Sequence, residues 1–232
     1  MAANSNKAAK KKPASPQPTT PIRVLIIDDH PIVRRGLVQT IAPEQDMEVI
    51  GQVQSAAEAI TAVREQPVDV AIVDLTLSDA GGTELLKHLK AINEELLMLV
   101  FSMHDELLYA ERALRAGARG YIMKQEGTDL IINAIRTVLK GDVYLSDQMT
   151  RRMLGRMLGN KQQGDDESPL AALSDRELEI FELFGRGSNT REIADRLCVS
   201  VKTIESHREN IKRKLNLRSS AEMIRCATQW VD

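Results

Sequence analysis

Apolar residues along this chain change their spacing repeatedly, and those changes outline its elements. Between residues 22 and 142, short runs rich in Val, Ile and Leu alternate with longer stretches whose apolar positions recur every three to four residues. The runs predict strands over 23–28, 47–53, 68–74, 96–102 and 120–123, and the stretches predict helices over 31–41, 56–65, 83–91, 105–116 and 128–139. Nearly continuous apolar strands belong to a parallel sheet covered on both faces. Right-handed crossovers then give an α/β fold, a five-stranded doubly wound parallel sheet. Helix ends carry matching chemistry. Pro31 suits a first helical position, Ser55 with Glu58 spells a capping box, Thr128 offers an N-cap, and Gly117 and Gly141 stand where helices stop.

After residue 142 the strand pattern ceases. A short helical pattern over 146–158 is followed by the polar, Gly- and Pro-bounded segment 159–169, which suits a linker. Helical patterns then fall at 175–184, 191–197, 201–215 and 220–229, the first opened by the Ser174–Glu177 capping box. The expected organisation is a disordered basic tail over 1–21, a sheet domain over 22–142, a linker with a short helix over 143–169, and a small all-α four-helix domain over 170–232.

The chain has 232 residues, comfortable for two domains, and is 43% hydrophobic, enough for sizeable cores. Two cysteines, Cys198 and Cys226, are too few for a disulfide framework or a tetrahedral zinc site and read as small apolar fillers. No apolar run approaches the ~20 residues that span a bilayer, and the amino end lacks an apolar signal core, so no membrane contact and a cytoplasmic location are expected. Charge is unevenly placed. Residues 22–142 hold 12 Lys+Arg against 19 Asp+Glu, whereas residues 201–214 hold five basic residues against two acids. An acidic front suggests a cation and a basic helix behind suggests a polyanion.

Ligands of open α/β sheets sit at the carboxyl ends of strands. Asp28 and Asp29 end the first strand and Asp74 ends the third, its neighbour in a doubly wound sheet. Three uncompensated carboxylates need a cation, and their hard oxygens suit Mg²⁺. Ser102 follows the fourth strand and Lys124 the fifth, where a lysine can serve as counter-ion or contact a phosphoryl group. His30 reads as a partly exposed helix-start residue, and His88 and His104 as helix and loop surface residues.

Asp28-Asp29, Asp74, Ser102, Tyr121 and Lys124, with the phrases SMHDE and GYIMK, resemble the CheY-like, flavodoxin-like receiver domain of response regulators. The resemblance implies that Asp74 accepts a phosphoryl group from a histidine kinase. It implies Mg²⁺ ligated by Asp29, Asp74 and the backbone carbonyl of Thr76, with Asp28 assisting through water and Lys124 on the phosphoryl oxygens. Ser102 and Tyr121 become a switch pair, in which Ser102 moves inward and vacates space for Tyr121. Two departures stand out: Leu77-Ser78 replaces the frequent Met-Pro after the acceptor, and Gln125 replaces the frequent Pro after the lysine.

The segment 201–215 places Val201, Ile204, Ile211 and Leu215 on one face and a polar, partly basic face opposite. That pattern suits a helix in the major groove or an ordinary solvated helix. The phrases LSDRE, SNTREIA and VKTIESH, with IKRKL after them, resemble the LuxR-type helix-turn-helix. The resemblance implies that Glu205, Ser206 and Glu209 face base edges of double-stranded DNA, and that Lys202, Thr203, Arg208 and Lys214 serve phosphates or the groove wall. His207 is expected beneath the helix, and 220–229, with Ala221, Ile224 and Ala227, is the expected dimer contact.

Together the two halves resemble a NarL/FixJ-type two-component regulator. The implied function is transcription regulation, with Mg²⁺-dependent phosphorylation of Asp74 switching homodimerisation and DNA binding. A receiver that works without phosphorylation is the alternative. A phosphatase built on Asp74-Leu75-Thr76 fits less well, because such enzymes need a second Asp where Thr76 stands, so no enzyme is expected. A back domain that binds protein instead of DNA is the remaining reading.

Overall fold

The computed structural model describes residues 20–77, 81–158 and 168–231. The expected tail over 1–21 lies almost wholly outside them, as does most of the linker segment 159–169, together with Ser78 and Asp79 of the loop after the acceptor.

Five strands, β1 (Ile22–Ile27), β2 (Met47–Val53), β3 (Val70–Val73), β4 (Leu97–Ser102) and β5 (Gly120–Met123), form one parallel sheet in the order β2-β1-β3-β4-β5. Helices α1 (Pro31–Ile41), α2 (Ala56–Glu65), α3 (Gly82–Ile92), α4 (Glu106–Arg115) and α5 (Leu130–Leu139) cover both faces. One apolar layer joins Val24, Ile26 and Leu99 to Leu37 and Ile131, and the other joins Leu25, Ala71 and Val100 to Leu86 and Ala110. All four residues of β3 are buried, the state of an interior strand of a doubly wound sheet. Gly117 and Gly141 both take positive φ, 108° and 91°, where a side chain would be strained.

Two helix starts differ from expectation. Ser55 caps α2 by accepting from the Glu58 amide, but the Glu58 carboxylate takes the amide of Gln54. α5 begins at Leu130 after Asp129, so Thr128 is no N-cap. Its hydroxyl instead accepts from Thr40 at 2.9 Å and ties α5 to α1.

The second part comprises α6 (Asp147–Met157), a short 3-10 turn (Pro169–Ala172), α7 (Asp175–Gly185), α8 (Thr190–Arg196), α9 (Val201–Lys214) and α10 (Ser220–Val231). Full capping boxes open α7 at Ser174 and α8 at Asn189. Phe181, Ile204, Ile211, Met223 and Ala227 fill the core. Ala227 therefore faces α7 and is no dimer contact, while Ala221 and Ile224 of the same helix are exposed. Cys198, expected as a filler, is exposed in the α8–α9 turn with φ of 51°. Val201, expected on the inward face of α9, is exposed, because it opens the helix beyond the reach of the core.

The two parts touch through α4. Arg112 donates to Asp175 Oδ1 at 2.9 Å and to the Leu173 carbonyl at 2.7 Å. Glu106 accepts from the Ser146 amide at 2.9 Å and from its hydroxyl, which docks the start of α6. One apolar cluster runs from the α3–α4 side of the sheet into the α7–α10 core. Among the described residues, no helix is long and apolar enough to cross a membrane.

Candidate functional site

The sheet order makes β1 and β3 neighbours, so Asp28, Asp29 and Asp74 meet beyond their carboxyl ends. The Asp74 amide still bonds the Ile27 carbonyl at 2.8 Å, which fixes the acid at the end of the ladder. Asp74 and Asp28 are each 2% exposed. Lys124 reaches across from the end of β5, its Nζ 2.6 Å from Asp74 Oδ2 and 2.7 Å from Asp28 Oδ2. The lysine thus serves as counter-ion to both acids. Two buried carboxylates without it would repel each other strongly.

Oxygens of Asp28, Asp29 and Asp74 and a ring nitrogen of His30 all lie within 4.8 Å of one another. Asp29 Oδ1 is buried without a hydrogen bond; His30 Nδ1 is 2.7 Å away but poorly aligned to donate. An orphaned carboxylate oxygen among hard donors fits a divalent ion such as Mg²⁺, which receiver domains generally bind. Thr76, two residues past Asp74, donates its amide to Asp74 Oδ1 at 3.0 Å. The loop is tightly built: a Cβ on Gly82 would fall within the backbone of Leu75.

Ser102 is fully buried at the end of β4. Tyr121 is only 1% exposed and donates its hydroxyl to the His104 carbonyl at 3.0 Å. Burial, with the charge of Asp74 adding to it, pushes the tyrosine pKa well up, although a hydrogen bond with Ser102 opposes the shift. The ring that the resemblance expects to gain space from Ser102 is thus already inside in this structure. The ring joins the apolar cluster on the α3–α4 side of the sheet.

His104 needs a further correction. Expected on a loop surface, its side chain is 10% exposed and sits between the two parts of the chain. Nothing in the spacing of SMHDE distinguishes a solvent-facing histidine from one covered by a distant helix. Glu182 was missed for a related reason, although a glutamate between Phe181 and Leu183 hinted at a partner.

On α9, Lys202, Glu205, Ser206, Glu209 and Lys214 are exposed, and Thr203 and Arg208 are half-buried. The receiver leaves this face open. Several groups already have local partners: the Thr203 and Ser200 hydroxyls share a 2.8 Å bond, Ser206 donates to the Lys202 carbonyl, and Glu209 pairs with Lys212 at 2.8 Å. Lys214 Nζ lies 2.6 Å from Glu177 Oε2. Burial alone would raise the Glu177 pKa, but hydrogen bonds from Lys214 and Ser174 outweigh it and hold the carboxyl below its usual range. Arg208 Nε and His207 Nδ1 are buried atoms without a hydrogen bond, and His207 is half-buried as expected.

Residues 24–136 match the response regulator receiver domain, and residues 171–227 match the luxR family of bacterial regulatory proteins. The oxygen regulatory protein NreC of Staphylococcus carnosus (strain TM300) is 36% identical over 210 residues, covering 89% of this chain and 96% of NreC. The chain belongs to the NarL/FixJ-type response regulators. NreC of Staphylococcus haemolyticus is 34% identical over a similar span, again 89% of this chain and 96% of the relative. Among solved structures, the RcsB response regulator of Salmonella typhimurium matches with a TM-score of 0.71 at 24% identity, covering 91% of this chain and 98% of that one. RcsB of Salmonella enterica serovar Typhimurium, bound to a promoter in the presence of phosphomimetic BeF₃⁻, gives 0.68 at 25% identity, covering 90% and 98%. As a family member, this chain is a DNA-binding two-component regulator with its receiver in front and a LuxR-type helix-turn-helix behind.

Proposed function

We propose that Asp74 is the phosphoryl acceptor and that its modification switches the DNA-binding domain. The observation that carries this is the placement of Asp74 at a strand end, buried, with Lys124 2.6 Å away and Asp28 and Asp29 beside it. A carboxylate oxygen of Asp74 attacks the phosphorus of a kinase phosphohistidine. The new P–O bond forms as the P–N bond breaks, and the departing imidazole nitrogen takes a proton from water. Asp28, Asp29, Asp74 and the Thr76 carbonyl would hold Mg²⁺, which when bound offsets charge on the phosphoryl oxygens. Lys124 would leave its bridge to Asp28 and pair with one of those oxygens. The protein turns over no substrate of its own; it receives the group and changes partners.

Downstream, α9 enters the major groove as a second copy of the chain binds a neighbouring half-site. Glu205, Ser206 and Glu209 face base edges, while Lys202, Thr203 and Arg208 serve phosphates. Lys214 joins them only by leaving Glu177. In its relative RcsB a promoter complex is known, which supports this reading.

The test is acyl-phosphate labelling by a small phosphodonor. The native chain should label in a Mg²⁺-dependent way, and Asp74→Ala should not label at all. Undiminished labelling of that variant removes Asp74 from the scheme. The buried position of Tyr121 favours a second reading, a receiver whose switch residue needs no phosphoryl group. DNA affinity indifferent to the phosphodonor would select it.

Lys202→Ala should weaken binding to all duplexes alike and reduce the slope of log affinity against log salt by about one. Fluorescence anisotropy at several salt concentrations reads this. An unchanged slope would show that Lys202 meets no phosphate.

A further inference from the structure

The acceptor loop and the DNA-binding domain meet at one side chain, His104. Its Nε2 lies 3.0 Å from the Thr76 hydroxyl, two residues past Asp74, and its Nδ1 lies 3.1 Å from Glu182 Oε2 on α7. The Nε2 contact is a hydrogen bond with the Thr76 hydroxyl and the Nδ1 contact is at ion-pair distance, so one ring touches both the acceptor loop and α7. The ring stacks on Tyr109, with centroids 4.4 Å apart. Burial, then the charge and a hydrogen bond of Glu182, hold the Tyr109 pKa well above its usual value. The backbone of His104 is engaged as well: its carbonyl accepts from Tyr121, and its amide reaches Ser102 Oγ at 3.4 Å.

We propose that His104 is the latch that holds α7 on the receiver and releases it when Asp74 is modified. This rests on the reading of Asp74 given above. Both routes by which a new phosphoryl group would act converge on the one residue. Thr76 would turn its amide from the Asp74 carboxylate toward the phosphoryl oxygens, which re-aims its hydroxyl away from Nε2. Ser102, drawn to the same oxygens, would pull the backbone two residues before the ring. Either movement takes the imidazole out of line with Glu182. A nearly buried glutamate left under α7 without the ring beside it loses a polar partner, which favours its return to water and the departure of the helix with it. The outer face of α9 is exposed, so the latch would act on docking rather than on cover of that face. It leaves the DNA-facing surface uncovered and restrains the domain's freedom to pair with a second copy.

The test places a donor and an acceptor dye on the receiver and the back domain of the full-length chain. Energy transfer then reports the ratio of separated to docked molecules, with and without beryllofluoride and Mg²⁺. In the unmodified chain, Glu182→Ala and His104→Ala should each raise that ratio about ten-fold. The double variant should add nothing beyond either single one, as for two halves of one contact. Glu182→Gln, which cannot carry the charge but keeps an acceptor, should fall between. All four should still label at Asp74, and beryllofluoride should open the two alanine variants and their double no further. If the native chain labels and opens while the variants stay docked like it, the latch is wrong and the function stands. If the native chain does not label, the acceptor assignment fails and the latch fails as a reader of it. If the two single effects simply add, the residues are separate packing groups and the proposal is overturned.

Discussion

Lys124→Ala is expected to destabilise the metal-free receiver by about 3 kcal/mol, the scale for removing one partner of a buried ion pair. Its ammonium bridges Asp28 and Asp74 at 2.7 and 2.6 Å, and all three side chains are nearly inaccessible to water. Without the lysine, two buried carboxylates remain with Asp29 beside them and no positive charge between them. A divalent ion supplies the missing positive charge. Denaturant unfolding should therefore show a large deficit for the variant without Mg²⁺ and a much smaller one at saturating Mg²⁺, because an ion that binds only the folded state stabilises it. Phosphodonor labelling should fall as well, since the cation that would meet the transferred group is gone. A deficit of equal size with and without Mg²⁺ would mean that the ion does not occupy the acidic cluster.

The second large effect is expected from Gly185→Ala at the end of α7. A Cβ there would lie 2.8 Å from the Ala227 carbonyl carbon and closer still to its oxygen. Both are backbone atoms of α10, so no side chain can rotate aside. The two helices must separate, and with them the contacts of Phe181, Met223 and Ala227. Overpacking of this kind costs about 1–3 kcal/mol, and a domain of some sixty residues has little stability to spare. The back domain should melt first and DNA binding should fall away, while labelling of Asp74 persists in the intact receiver. A single unfolding transition at the native midpoint would show that α7 and α10 accommodate the methyl group.

The receiver was legible because each of its signals is local. Apolar runs ended by Asp28 and Asp74 mark strand ends whatever the rest of the chain does, and sheet order then brings the acids together. α5 was less legible at its start: Thr128 has a capping side chain, but a neighbouring hydroxyl on α1 took it. The α8–α9 turn hid its conformation behind Cys198, which takes the left-handed geometry where glycine is usual, with the Val199 amide closing on the Ala194 carbonyl. Ala227 shares its helix with exposed residues, and sequence period alone does not say which face meets α7. His104 and Arg112 lay beyond sequence altogether, and Glu182 gave only a hint, because their surroundings are made by residues tens of positions away. The inward Tyr121 belongs with them, since its hydroxyl bonds the backbone of His104 in the loop after β4.

Helix α4 is occupied along its length by its own polypeptide: Ser146 at Glu106, Arg152 at the Leu107 carbonyl, Arg156 at Glu111, and Asp175 at Arg112. A tethered occupant has a local concentration on the order of millimolar. Any outside molecule that seeks this helix must therefore outcompete a neighbour that never diffuses away, and weak encounters in a crowded cell will be turned aside without any dedicated inhibitor.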